Sequence, residues 1–176
     1  VFNIYYYMLM FAADIMDTQF GLSMAKMMNP QTNIQTATTG NLLNVVFMLY
    51  FFTTNSHLIL INTAVGSYEA VPAGLSAIDI MGSCGFVIDL FTSVFLLALR
   101  LALPYVAAEF VLELSLGILM KLIPQIHVFV IQMQGKIILG LILLLALSIP
   151  MTNFIDIYIT KMLDSMDQAL GSLVVR

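Results

Sequence analysis

A polar stretch from Gly21 to Gly40 interrupts an otherwise apolar chain and constrains the fold more than any other feature. Methionine-rich apolar sequence leads into it, and Asn29-Pro30 is typical of a helix end because proline disfavours helical geometry in the residue before it. Amide and hydroxyl residues then predominate until Leu42. An irregular segment cannot face lipid tails, since its backbone polar groups would stay unsatisfied there. We therefore expect this loop, residues 21–40, to line or plug a water-filled pore.

The composition indicates a membrane protein or a protein buried in an assembly. Of 176 residues, 61% are hydrophobic and 9% are charged, whereas soluble proteins have about 25% charged residues. The six basic residues form no cluster, so nucleic acid is not an expected partner. The single cysteine excludes an intramolecular disulfide. The chain begins at Val1 rather than at methionine, which we interpret as the mark of a fragment.

Charges interrupt the apolar tracts. A membrane span needs about 18 apolar residues, but the purest tract, Ile137–Ile149, has 13 residues before Pro150. A charge at the centre of a span costs about 2.5–3.5 kcal/mol. We therefore expect helices that are enclosed mainly by neighbouring subunits, with lipid as a minor neighbour. The interrupting charges are Asp89, Arg100, Glu109, Glu113, Lys121 and Lys136.

Helix breakers predict an all-α fold of helical hairpins with broken helices in a single domain, residues 1–176. The stretch between Thr53 and His57 predicts a break or a tight bend. Pro104 is expected to kink or end a helix that starts at Ile78, and Pro124-Gln125 separates two further helices. Residues 153–175 predict a C-terminal amphipathic helix. Its apolar face comprises Ile155, Ile159, Met162, Leu163, Met166, Leu170, Leu173 and Val174.

Four carboxylates occupy apolar helices at helical spacing. Asp14 and Asp17 share one face, and we expect that face to contact water or a partner. Glu109 and Glu113 share another face with Lys121, for which we expect pairing across a subunit interface; proton transfer is the alternative for both pairs.

Motifs of enzymes are missing. The sequence has no glycine-rich phosphate loop and no His or Cys pair at metal spacing, so we expect no catalytic residue, metal or cofactor. His57 fits a helix break better than a ligand site. Met24, Met27 and Met28 lie at the edge of the polar loop, and flexible methionines can form a deformable seal.

The order and spacing of several short motifs resemble the FliR family of flagellar export-gate proteins. These motifs extend over nearly the whole chain, and members of that family carry further N-terminal helices. The motifs are Gly21-Leu22-Ser23, Asn29-Pro30, Asn55-Ser56-His57-Leu58, Pro72-Ala73-Gly74, Leu101-Ala102-Leu103-Pro104, Gly117 through Lys121 to Pro124-Gln125, Val128-Phe129 and Lys136.

The resemblance implies a non-enzymatic subunit that packs with FliP-like and FliQ-like subunits, and with an FlhB-like subunit, in a helical export gate. It places the protein in the bacterial inner membrane, at the flagellar basal body, in contact with lipid and with unfolded export substrates. The family's plug loop corresponds to residues 23–37. The implied plug residues are Ser23, Met24, Met27, Met28, Asn29, Pro30, Gln31, Thr32, Asn33 and Ile34, and the expected helix-break or interface residues are Asn55, His57, Pro104, Glu113, Lys121, Pro124 and Gln125.

Departures from the family pattern occur within the loop, where Asn29-Pro30 replaces Asp-Pro and methionines replace aromatic plug residues. They also occur outside it, where Asn55-Ser56-His57 replaces Asn-Gly-His and Gln134-Gly135 replaces a proline before Lys136. Two alternatives stay open beside the flagellar gate. One is the related injectisome export gate. The other is an ion-coupled membrane transporter that uses Asp14, Asp17, Glu109 and Glu113. A membrane enzyme has no nucleophile or metal constellation to support it.

Overall fold

The protein is all-α, as the sequence predicts. The structure is a computed structural model, and it describes residues 1–23, 37–70, 80–122 and 128–173. These residues form six helices and no strand. The helices are α1 (Phe2–Gln19), α2 (Thr38–Thr53), α3 (Ser56–Ala70), α4 (Ile80–Leu122), α5 (Val128–Ala146) and α6 (Ser148–Leu173).

Helix α1 ends at a glycine that adopts a left-handed conformation. Gly21 has φ of 70°. Its N–H donates to the Thr18 carbonyl at 3.3 Å, and the Leu22 N–H donates to the Asp17 carbonyl at 3.0 Å. This hydrogen-bond pattern is the Schellman motif, which satisfies the last helical carbonyls and which glycine adopts without a Cβ penalty. The helix therefore ends before the position indicated by Asn29-Pro30, a pair that lies outside the described residues.

A break separates α2 from α3 where the sequence predicts one. Asn55 adopts a left-handed φ of 57°, a conformation that asparagine tolerates better than most residues. The hydroxyls of Thr54 and Ser56 lie 2.7 Å apart across the break, and the two helices are bent by 74°. The polar loop was expected to extend to Gly40, but α2 begins at Thr38.

The sequence predicts that Pro104 either kinks or ends a helix. Helix α4 runs through Pro104, so the prediction of a helix end is wrong. Pro104 is exposed, whereas Leu101, Ala102 and Tyr105 beside it are buried. The buried face of α4 therefore continues past Pro104, although proline has no backbone N–H and so removes one hydrogen-bond donor from the helix. The resulting helix also corrects the expectation that no clean span exists: of the described residues, Gly82–Leu122 is long and apolar enough to cross a membrane, and it contains an 18-residue stretch with a mean hydropathy of 2.1.

Two bent helix pairs, α2 with α3 and α5 with α6, would each pass the same test of length and composition if the pair formed one span. Helix α6 begins at Ser148, so Pro150 lies in its first turn, where a missing N–H costs no intrahelical bond. The buried positions of α6 include Ile155, Ile159, Met162 and Leu163, and Asp156, Thr160, Lys161, Asp164 and Asp167 are exposed.

The chain divides into two compact units. The first comprises Val1–Met8, Asn44–Leu97 and Thr152–Arg176. Its core joins α1 to α6 through two tyrosines whose ring centroids lie 5.0 Å apart, Tyr5 and Tyr158. The Tyr158 hydroxyl donates to the Tyr5 carbonyl at 2.7 Å. The Tyr5 hydroxyl donates to the Lys161 carbonyl at 3.1 Å and lies 2.9 Å from Ser165 Oγ.

The second unit comprises Leu9–Leu43 and Ala98–Met151. Its core contains the second half of α1, the start of α2 and the middle of α4. Two acidic residues among those described, Asp17 and Glu109, are fully buried here. Buried charged groups are rare unless they are paired. These two carboxylates therefore make the second unit the candidate location of a functional site.

Candidate functional site

Asp17 connects α1 and α2. We call the part of the polar loop that lies between these two helices the polar segment. Its carboxylate accepts hydrogen bonds from the backbone N–H groups of Thr38 and Thr39, the latter at 3.0 Å. These groups belong to the first turn of α2, where backbone donors have no intrahelical partner and the helix dipole favours a negative charge. Asp17 of α1 therefore caps α2 from a distance in sequence. We name Asp17, Phe20, Gly21, Thr38 and Thr39 the loop base.

Small residues bring α1 and α2 close enough for this cap. A Cβ added at Gly40 would lie 3.1 Å from the Ala37 Cβ, 3.2 Å from the Met10 sulfur and 3.5 Å from the Ala13 Cβ. Two of these distances are shorter than ordinary van der Waals contacts, so a side chain at Gly40 would force its neighbours to move by a few tenths of an ångström. Small residues at such crossings allow backbones to approach closely, as in packed membrane helices.

Phe20 fixes the other side of the loop base. Its ring is buried against Gly140 of α5, where an added Cβ would lie 2.5 Å from the ring carbon Cγ. The Phe20 ring also contacts Tyr105 of α4 edge to face, with centroids 5.9 Å apart. Thus the end of α1 is held by α2 through a carboxylate and by α4 and α5 through an aromatic ring.

A second cluster of charged residues lies on α4 and α5 of the same unit. Lys136 Nζ forms an ion pair with Glu113 Oε1, and their side chains are 17% and 42% exposed. Glu109 precedes Glu113 by one helical turn and is 0% exposed, and neither of its carboxylate oxygens has a hydrogen-bond partner among the described residues. We name Glu109, Glu113 and Lys136 the carboxylate cluster.

The structure describes one of the predicted plug residues. Ser23 is half-buried at the end of the first described range. The other nine lie outside the described residues, namely Met24, Met27, Met28, Asn29, Pro30, Gln31, Thr32, Asn33 and Ile34. The plug therefore stays a prediction, and the loop base is the part of this region that the structure defines.

The predicted helix-break and interface residues are dispersed. Asn55 lies at the α2–α3 break, and His57 lies beside Phe51 and Phe52, with ring centroids 6.4 and 5.3 Å away. Lys121 is exposed in the last turn of α4. Glu113, expected to pair across a subunit interface, pairs with Lys136 of the same chain. Pro124 and Gln125 lie outside the described residues.

Sequence reasoning missed the role of Asp17. A solvated or partner-facing position was expected for Asp14 and Asp17 together, but only Asp14 is exposed. The signal was present, because Asp17 lies one helical turn from Ala13 and Phe20 on the face that α1 buries. A carboxylate on a buried face needs donors, and the first turn of a following helix supplies them.

No group of three or more His, Cys, Asp or Glu side chains that could hold a metal occurs within the described ranges. The loop base carries one carboxylate that is already occupied by backbone donors. Its geometry is suited to holding chain segments in place.

Comparison with known proteins points to bacterial protein export. The family model described as "Bacterial export proteins, family 1" matches residues 1–162. Flagellar biosynthetic protein FliR of Bacillus subtilis is 29% identical over 137 residues, which cover 76% of this chain and 52% of the relative. The FliR protein of Buchnera aphidicola from Acyrthosiphon pisum is 30% identical over 156 residues, covering 88% and 58%.

A relative from a different secretion system matches at similar identity. Yop proteins translocation protein T of Yersinia pestis is 30% identical over 143 residues, which cover 81% of this chain and 55% of the relative. The chain spans about half the length of the curated relatives it matches.

Proposed function

The chain belongs to the family of bacterial export proteins, family 1, and on that basis we propose that it is a non-enzymatic subunit of the flagellar type III protein export gate. Relatives named flagellar biosynthetic protein FliR support this proposal over most of the chain. The span-capable helix α4 supports a membrane-embedded position, which we assign to the bacterial inner membrane at the flagellar basal body. The same similarities favour export over the ion-coupled transporter alternative.

The partners in this proposal are FliP-like and FliQ-like subunits, with an FlhB-like subunit beside them, and unfolded export substrates pass through the assembly. Exposed apolar side chains on the second half of α4 support a protein neighbour, because Glu113, Ser115 and Lys121 lie exposed among them. Lipid alone is a poor cover for such a mixed surface. These apolar residues are Phe110, Val111, Leu114, Ile118 and Leu122.

The observation that carries the channel role is the loop base. Helix α1 ends and helix α2 begins beside one buried carboxylate, that of Asp17. This carboxylate holds both ends of the polar segment in the second unit. A segment that closes a channel needs rigid ends, since a loop with mobile ends cannot hold a seal in register. We therefore assign the plug to the polar segment, with the ten residues predicted from the sequence as its members.

A deletion within the segment tests this assignment. Removing Asn29–Gln35 is expected to leave assembly with the FliP-like and FliQ-like subunits intact and to make bilayers that contain the complex conduct small ions. Replacing the same residues with a Gly-Ser segment of equal length separates the loss of side chains from the loss of length. Unchanged conductance in an assembled complex would remove the plug role, and failure of the wild-type chain to co-purify with those subunits would remove the subunit assignment.

The injectisome export gate is the second candidate, and the Yersinia relative is the observation in its favour. Complementation separates the two systems. The chain, fused to the part of each relative that it does not cover, is expected to restore motility to a flagellar mutant. Restored effector secretion in an injectisome mutant without restored motility would reverse the order of the two candidates.

A further inference from the structure

The carboxylate cluster is one positive charge short. Glu109 and Glu113 can carry two negative charges, and among the described residues Lys136 supplies the one positive charge that acts on Glu109. The ammonium is committed to Glu113, which lies four residues further along α4. Glu109 therefore has no ion pair with any residue that the structure describes, although it lies between two apolar helices.

Within the part of the chain that the structure describes, Glu109 has no other group that could compensate a negative charge. Both of its oxygens are buried and lack a hydrogen-bond partner in residues 1–23, 37–70, 80–122 and 128–173. An ionised carboxylate in that condition is far more costly than a neutral acid. Because the side chain is 0% exposed, a basic group of a partner subunit cannot reach it in this conformation. Two carboxylates beside an ammonium are also too few ligands for a structural metal ion.

We propose that Glu109 is a proton-binding site, and that its proton decides which carboxylate Lys136 pairs with. With the proton bound, Glu109 is a neutral acid and Lys136 pairs with Glu113, which is the arrangement in the structure. When the proton leaves to water, Lys136 moves by one helical turn to the Glu109 carboxylate and releases Glu113. Residues four apart on a helix are neighbours, about 5–6 Å between their Cβ atoms, so the long lysine side chain can serve both.

The move of Lys136 from Glu113 to Glu109 also changes the surface of the protein. Glu113 is the exposed member of the cluster, on the same α4 surface to which we assign a protein neighbour. A free carboxylate at that surface is available to a basic group of the neighbour. Proton occupancy at a buried position therefore changes the charge that the chain presents at its surface.

Infrared spectroscopy of the full chain in lipid nanodiscs tests the proposal. The chain has three glutamates, Glu69, Glu109 and Glu113, so labelling with carbon-13 glutamate identifies their carbonyl bands. The wild-type chain at neutral pH is expected to show one protonated-glutamate band that disappears as the pH is raised. Its absence at neutral pH would refute the proposal without any variant, which covers the case in which a substitution disrupts folding.

Three variants locate the proton and test the exchange. Glu109→Gln is expected to abolish the band, whereas Glu69→Gln on α3 leaves it unchanged. Glu113→Gln is also expected to abolish it, because Lys136, without its partner, pairs with Glu109 and ionises it. A band that persists in Glu109→Gln places the proton elsewhere, and a band that keeps its full intensity in Glu113→Gln contradicts the exchange of Lys136.

Discussion

Replacing Asp17 with asparagine removes the charge from the loop base with almost no change of shape. The carboxylate now accepts from the N–H groups of Thr38 and Thr39 with its two oxygens. Asparagine has one oxygen, so its amide group would face one of the two backbone donors. We therefore expect one hydrogen bond to be lost and one buried N–H of the first turn of α2 to be left without an acceptor.

The magnitude follows from these losses. A hydrogen bond to a charged group contributes about 1.5–3 kcal/mol, and the interaction of the charge with the helix dipole contributes about 0.3–1 kcal/mol. The expected decrease in unfolding free energy is therefore roughly 2–4 kcal/mol. Because each 1.4 kcal/mol corresponds to about a tenfold change, the Thr38 and Thr39 amides should exchange with solvent on the order of 30-fold faster or more.

Two measurements on the purified chain check this expectation. Denaturant unfolding in detergent gives the free energy, and hydrogen exchange followed by mass spectrometry of the peptide that contains the start of α2 gives the local effect. Asp156→Asn is the matched control, since Asp156 is an exposed aspartate on α6 and its substitution should cost less than about 0.5 kcal/mol. Equal losses for Asp17→Asn and Asp156→Asn would show that the cap does not stabilise the protein.

Two other contacts give further expectations. Gly140→Ala forces the Phe20 ring to move and should lower the unfolding free energy by about 1–3 kcal/mol in denaturant titrations, whereas Gly135→Ala on the same helix, where an added Cβ meets no atom within 4 Å, should not. Tyr5→Phe should cost about 1 kcal/mol in the same assay, through the lost hydroxyl bonds to α6. Burial raises the pKa of the Tyr5 phenol. The stabilising effect of the phenol should therefore be complete below the pKa of tyrosine in the unfolded chain, about 10, and should be lost as the pH rises through the folded-state pKa. Thermal melts of the wild type should therefore fall more steeply above about pH 10 than melts of Tyr5→Phe; identical slopes would contradict the role of the phenol.

Features that depend on neighbouring residues could be predicted from the sequence. The break between α2 and α3 follows from a polar run around Asn55, a residue that accepts the left-handed conformation found there. The apolar positions of α6 recur at helical spacing, and those at Ile155 and Met162 are buried.

Features that depend on distant residues could not be predicted. Asp17 caps a helix that begins 21 residues later, and the partner of Glu113 lies 23 residues away on the next helix. Neither distance is encoded by helical periodicity. Pro104 is a related case, because tertiary packing of Leu101 and Tyr105 overrides a local breaker signal.

Because the residue that caps α2 lies outside the polar segment, the sequence of that segment can change without removing the cap. In most helices the capping side chain belongs to the residue just before the first turn, so a change in the connecting loop alters helix stability as well. Here the acceptor is Asp17, on the far side of the connection from α2. Substitutions between the two helices leave that acceptor in place, and lineages can diversify the intervening residues while inheriting the same scaffold.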